Sequence, residues 1–117
     1  HEFMDYMFDV RYGSSEIEYR LSKMFDETLP VARIIGQRME QWDGNGRPNG
    51  LKGEKLDFLT RFISMTDAYI ILTGKAPHGY ALSHSAALKR MLQLAGKVLD
   101  PHMTAKFVDF MEQYIDQ

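Results

Sequence analysis

The chain has 117 residues, no cysteine, and a formal net charge of −2 from 14 basic and 16 acidic residues. That length suits one domain with one core, and the charge balance offers no basic surface for nucleic acid. The missing thiols exclude disulfides, thiolate metal sites and a cysteine nucleophile.

Residues 1–12 are expected to form an N-terminal segment or helix, with a cloning scar before Met4. The start, "HEFMDYMFDV", has no basic region followed by a long apolar stretch, so it does not read as a signal peptide. No apolar run approaches the roughly 18 residues that span a bilayer. A cytoplasmic location without membrane insertion is the expectation.

From residue 14 onward the periodicity is helical. "SSEIEYRLSKMF" (14–25) opens with Ser15 and Glu18 at capping-box spacing, followed by a stripe of Ile17, Leu21 and Met24 or Phe25. "TLPVARIIGQRMEQW" (28–42) carries Pro30 early, where a missing N–H costs little, and repeats Val31, Ile34, Ile35 and Met39. "KLDFLTRFISMTDAYIILTG" (55–74) is the most apolar segment. Its inner face is expected to be Phe58, Leu59, Phe62, Ile63, Thr66, Tyr69 and Ile70, with Gly74 as the stop. "LSHSAALKRMLQLAG" (82–96) has Ser83 as cap, an Ala87-Leu88-Met91-Leu92-Ala95 stripe and Gly96 as terminator. "DPHMTAKFVDFMEQYID" (100–116) sets Asp100 at the N-cap and Pro101 at the first helical position, with Met103, Phe107, Met111 and Tyr114 inward. No alternating strand pattern competes with these helices. The expectation is an all-α bundle of about five to six helices with two long loops, 42–54 and 74–82.

The first loop, "QWDGNGRPNGLKGE" (41–54), is rich in glycine and carries several chemical readings. A dinucleotide fingerprint needs G-x-G-x-x-G after a strand; here Gly44, Gly46 and Gly50 follow a helix with an extra residue between the last two. A calcium loop counted from Asp43 would end on Glu54, but its fifth position is Arg47 and its sixth Pro48, where a ligand oxygen and a glycine belong. What remains is a turn-rich connection, with Asn49-Gly50 as a tight turn and glycines near 44 and 46 relieving positive φ. Loops of this length in small domains are uncommon and often functional.

The run Glu40-Gln41-Trp42-Asp43-Gly44-Asn45-Gly46-Arg47-Pro48, with Gly50-Leu51 and Gly53-Glu54 after it, resembles the signature H-H-E-x-x-D-G-x-G-Y-P-x-G-L-x-G-E of HD-GYP domains. "TDAYIILT" (66–73) is similar to that family's A-D-x-Y-D-A-L-T, and "ALSHSAAL" (81–88) to its A-L-S-x-x-E-A-L. The resemblance covers residues 13–112 and implies the C-terminal portion of an HD-domain-like helical bundle, residues 13–117. It implies a bacterial signalling domain whose active members hydrolyse cyclic di-GMP with two or three metal ions, iron or manganese.

Departures from the pattern are concentrated at the metal positions. Arg38 and Met39 stand where the family has paired histidines, Arg47 replaces the tyrosine of G-Y-P, and Ile70 replaces the second acid of A-D-x-Y-D. An upstream ligand histidine would fall near Gly13, and Ala76-Pro77-His78-Gly79 stands in place of R-P-Y-R. Asp67 is the retained ligand. A dinuclear centre needs several imidazole and carboxylate donors on each ion, so the expectation is a degenerate domain with no catalytic residue, no metal and no cofactor. His78, His84 and His102 are read as solvated surface residues rather than ligands.

The resemblance therefore implies a regulatory protein-interaction module. Alternatives are a metal-dependent cyclic di-GMP phosphodiesterase with donors supplied from elsewhere, and a cyclic-dinucleotide-binding domain without hydrolysis. Arg38 is expected either to pair with Asp67 in place of a metal's charge or to face solvent. Arg38, Arg47, Lys52 and Trp42 are candidate phosphate or partner contacts, Trp42 being either a core anchor or an interface residue. GGDEF-type or other signalling domains and a homodimer are the partners the resemblance implies.

Overall fold

A computed structural model describes residues 34–75, 77 and 79–115. The expectations for residues 1–12, Gly13, the helix at 14–25, Pro30, Val31, Ala76 and His78 lie outside the described residues. The chain divides into two compact units, His1–Thr60 and Arg61–Gln117. Every regular element among the described residues is helical, without a strand. Besides a helix end at residues 34–36, they are a 3-10 turn at Gly53–Lys55 and three α-helices: α1 (Phe58–Thr73), α2 (His84–Leu94) and α3 (Pro101–Ile115).

In the first unit, residues 34–36 are helical and 37–39 already form a turn. The helix expected to reach Trp42 therefore stops earlier. Its last bonds tighten to three-residue spacing: Gln37 N–H donates to Ile34 O, Arg38 to Ile35 O and Glu40 to Gln37 O. Bonds of that kind close a helix end. The chain then runs without regular structure to the 3-10 turn, whose flanks Lys52 and Leu56 are extended. The Gln37 side-chain oxygen accepts the Asp57 N–H at 2.9 Å, which ties the loop's far end to its beginning.

In the second unit the helix ends follow their sequence signals. Ser83 caps α2, its hydroxyl accepting from Ala86 N–H at 3.2 Å. Gly96 follows the C-cap with φ +84°, the left-handed turn that glycine adopts without strain. Gly96 N–H donates to Leu99 O and Leu99 N–H to Leu94 O, so the α2–α3 connection is one tight turn over buried Val98 and Leu99. α2 and α3 pack against each other. α1 ends at Thr73, and residues 79–82 return onto its C-terminus. Gly74, Tyr80 and Leu82 donate to Ile70 O, Ile71 O and Leu72 O, satisfying carbonyls the helix itself leaves open. A Cβ on Gly79 would collide with the Gly74 carbonyl, so the return depends on a glycine there.

Asp100 carries the junction between α1 and α3. One carboxylate oxygen accepts the N–H groups of His102 and Met103 at 2.9 and 3.0 Å, capping α3; the other accepts from Arg61 Nη1 at 2.7 Å. The carboxylate is 5% exposed. Burial pushes its pKa up, but the Met103 amide, the Arg61 guanidinium and the His102 amide together hold it below the ordinary carboxylate range.

Burial corrects two predicted faces. On α1 the buried residues are Thr60, Ser64, Met65, Ala68 and Leu72, whereas Phe58, Leu59, Phe62 and Ile70 are 61, 51, 44 and 63% exposed. Ile63, Thr66 and Tyr69 are half-buried. The inner face thus lies on the far side of the helix from the one expected. The helix is apolar around most of its circumference, so period alone does not choose a side. The buried side carries the small residues Thr60, Ser64 and Ala68. On α3 the buried positions are Thr104 and Val108; Met103, Phe107 and Met111 are half-buried and Tyr114 is exposed. The α2 stripe holds at Ala87, Leu88 and Met91, with Leu94 buried where Leu92 was expected.

An Asp100→Asn variant keeps a side-chain cap but removes the charge opposite Arg61, a loss of about 1–2 kcal/mol in urea unfolding at neutral pH. Because the carboxyl titrates lower in the folded chain, its stabilisation is full above the unfolded pKa and disappears as pH falls through the folded value. The wild-type chain should therefore lose stability more steeply than the variant between neutral and strongly acidic pH.

Candidate functional site

The Gly-rich loop of the first unit is folded around Glu40. This side chain is 3% exposed, and its two carboxylate oxygens accept the backbone N–H groups of Asn49 at 2.8 Å and Leu51 at 3.0 Å. A buried carboxylate is costly unless it is hydrogen-bonded, and two backbone donors meet that need. The same amides are thereby occupied, so the loop's inward N–H groups hold an internal anion.

Four further backbone contacts complete the loop. Arg47 N–H donates to Met39 O at 3.0 Å, Gly44 N–H to Gln41 O at 3.0 Å and Gly53 N–H to Trp42 O at 2.9 Å. Asp43 and Lys52 form an isolated antiparallel bridge. Asp43 also turns its carboxylate back to accept Asn45 N–H at 3.0 Å, a local turn that uses the oxygen a calcium loop would present outward. Gly44 and Gly50 adopt positive φ (85° and 64°), as the turn reading expected. Gly46 has a different reason: a Cβ there would run into the backbone of residues 39–41. The glycine permits close approach of two chain segments rather than a left-handed turn.

The predicted site residues divide by exposure. Arg38 and Met39 are half-buried on the 37–39 turn; Asp43, Gly44 and Gly46 are half-buried, and Arg47, Pro48 and Lys52 are exposed. Trp42 is half-buried, with its ring edge beside Gly53, and so is neither fully core nor fully surface. Lys52 lays its stem across Gly44. Asp67 sits in mid-α1, half-buried, in the second unit, while Arg38 and Met39 belong to the first. The double-acceptor role of Glu40 was missed from sequence, although a glutamate opening a glycine-rich loop is the available signal.

In the second unit Tyr69 and His84 meet. The Tyr69 hydroxyl is hydrogen-bonded to His84 Nδ1, and the rings stack at 5.7 Å and 19°. Phe107 meets Tyr69 edge-on at 5.5 Å. Burial raises the Tyr69 pKa above that of an ordinary phenol. His84 is thus exposed but engaged, and His102 is exposed as expected.

For the metals that the resemblance implies, the described donors do not fit. No group of three or more His, Asp or Glu converges among the described residues. The matched positions supply a guanidinium, a thioether and one carboxylate, a poor set for hard or borderline divalent ions. No helix among the described residues is long and apolar enough to cross a membrane.

Replacing Glu40 by Ala leaves two part-buried amides without their acceptor and should cost about 1–3 kcal/mol, with Gln intermediate because it keeps one acceptor oxygen. Hydrogen exchange read at Asn49 and Leu51 locates the loss: both amides should lose protection in Glu40→Ala while α2 and α3 keep theirs. Gly46→Ala should destabilise the same loop by backbone collision.

The HD domain family profile matches residues 13–103. Relatives include a probable cyclic di-GMP phosphodiesterase of Vibrio cholerae, 32% identical over 83% of this chain. A 3'3'-cGAMP-specific phosphodiesterase 3 of the same organism is 32% identical over 79% of the chain. The cyclic di-GMP phosphodiesterase response regulator RpfG of Xanthomonas campestris pv. campestris is 32% identical over 69%. The chain spans only about a fifth of their length, 22, 19 and 22% respectively. Among solved structures, the cyclic GMP-AMP-specific phosphodiesterase V-cGAP3 of V. cholerae superposes with a TM-score of 0.59 at 26% identity, over 92% of this chain and 22% of that one. The profile match, the helical architecture and the loop built on Glu40 converge: this chain belongs to the HD domain family, in its HD-GYP group.

Proposed function

We propose that this domain is a non-catalytic member of its family, serving as a protein-interaction module in bacterial signalling. The observation that supports the reading is the donor set: Arg38 and Met39 occupy the positions of paired histidines, and a guanidinium cannot ligate a cation. Asp67 alone does not hold two ions, and so no bound water is activated there. The loop's construction agrees with this reading. Its shape is held by Glu40, by backbone bonds and by glycines, none of which requires a metal. Its tip, Arg47-Pro48-Asn49-Gly50, is exposed, as is Lys52, and these cationic residues suit an acidic partner surface such as that of a GGDEF-type domain. We place the module in the cytoplasm.

The second reading is hydrolysis of a cyclic dinucleotide, favoured by the names of the relatives. It needs metal donors beyond those found together among the described residues. Nucleotide binding without hydrolysis is less well supported at the loop, because the Asn49 and Leu51 amides are already given to Glu40.

Metal analysis combined with turnover of cyclic di-GMP and 3'3'-cGAMP on the longest natural protein separates these readings. The expected result is substoichiometric iron and manganese and no linear product. Stoichiometric metal together with linear dinucleotide would refute the proposal. Arg47→Glu should weaken capture of a GGDEF-type partner by about tenfold, with the helical circular dichroism spectrum checked alongside.

A further inference from the structure

We propose that Asn49-Gly50, at the loop tip, is a self-modifying site. Asn49 deamidates through a cyclic imide to aspartate and isoaspartate, and the isoaspartate form releases the hold of Glu40 on the loop. The loop has two Asn-Gly pairs, Asn45-Gly46 and Asn49-Gly50. Glycine after asparagine leaves the next backbone nitrogen without a Cβ to shield it from the asparagine carboxamide. In the second pair both residues are exposed. Gly50 has φ +64°, and a Cβ built on it would meet only the Gly44 carbonyl oxygen, at 3.3 Å. The amides on either side, of Asn49 and Leu51, donate to Glu40, whereas the Gly50 N–H donates to no acceptor among the described residues. Solvent is therefore its partner, and the nitrogen is open to deprotonation. The HD-GYP signature places glycine at 50 and leaves 49 open, so the asparagine is this chain's own.

The reaction needs only water and hydroxide. The Gly50 nitrogen gives its proton to hydroxide and attacks Cγ of Asn49. An N–Cγ bond forms, the Cγ–Nδ2 bond breaks, and the amide leaves as ammonia with a proton from water. Water then opens the imide. Attack at Cγ gives aspartate with the main chain unchanged. Attack at the Asn49 backbone carbonyl carbon gives isoaspartate, whose main chain runs through Cβ and Cγ. That product inserts a methylene between the Asn49 and Leu51 nitrogens, which now meet the two oxygens of one carboxylate. It also sets a new carboxylate on Cα of residue 49, one bond from the nitrogen that donates to Glu40 Oε2, where like charges oppose each other. The aspartate product carries its charge on an exposed side chain and keeps the two amides in register. Asn45-Gly46 has the same sequence without the same freedom. A Cβ on Gly46 would lie within 2.5 Å of the backbone of residues 39–41, and the adjoining Arg47 N–H is held by Met39 O. The peptide rotation that ring closure requires is blocked there. This chemistry is the same whether or not the domain hydrolyses cyclic dinucleotides.

Ageing the full chain at mildly alkaline pH, folded and in urea, tests this. The tryptic peptide from Met39 to Lys52 holds both asparagines, and electron-transfer mass spectrometry distinguishes aspartate from isoaspartate at each. Every conversion exchanges NH for O and adds about 1 Da. In urea the two asparagines should convert at similar rates. In the folded chain Asn49 should stay within about threefold of its urea rate, while Asn45 slows by about tenfold or more. The isoaspartate form, separated by chromatography, should lose hydrogen-exchange protection at the Leu51 amide. Freshly prepared Asn49→Asp should keep that protection, and Asn49→Gln, whose larger ring closes far more slowly, should stay unmodified at this position. A folded chain in which Asn49 is as slow as Asn45 overturns the proposal. So does an isoaspartate form whose Leu51 amide is as protected as before.

Discussion

A buried carboxylate must find donors, and the first unit is arranged around that need. Glu40 has almost no solvent contact, so its carboxylate depends on donors within the chain, and the Asn49 and Leu51 amides supply two. Bringing those amides to it requires the chain to leave the helix by residue 37, turn at Gly44, press Gly46 against residues 39–41 and return through Gly50. The glycines are therefore consequences of the Glu40 geometry. Asp100 has a comparable place in the second unit, where one carboxylate starts α3 and holds α1 through Arg61. Both units are organised by a desolvated acid satisfied mainly by backbone N–H groups.

Signals of local origin were legible in the sequence. Ser83, Gly96 and the Asp100-Pro101 pair mark helix ends because capping is decided within a few residues. The existence of α1, α2 and α3 was legible from their apolar content. The inward side of α1 was not. A helix with aromatic and aliphatic residues on most of its circumference carries more than one acceptable stripe, and the choice depends on what packs against it. Phe58, Phe62 and Ile70 made the more hydrophobic stripe, yet the chain buried Thr60, Ser64 and Ala68 with Met65 and Leu72. Sequence hydrophobicity ranks faces by transfer energy, whereas close packing ranks them by shape.

The loop shows the same division. That residues 41–54 form a compact, glycine-dependent turn structure followed from composition. That Glu40 seals it did not, because the acceptor and its donors are nine and eleven residues apart and nothing local pairs them. Gly46 illustrates the point from the other side: its role is proximity to a segment several residues earlier, so its own dihedral angles do not reveal it. Resemblance to the HD-GYP signature identified the stretch without giving the reason for its residues. The hydrogen bonds of Glu40 supply that reason.

Residue 39 enters the loop through its carbonyl, which accepts from Arg47, while residue 40 enters through its side chain. The loop therefore reads the backbone at 39 and the chemistry at 40. Neutral drift should act very differently on two adjacent codons: the side chain at 39 can change without the loop registering it, whereas position 40 is tied to the carboxylate. The loop's shape is thus inherited through one backbone carbonyl and one carboxylate, whatever side chain stands between them.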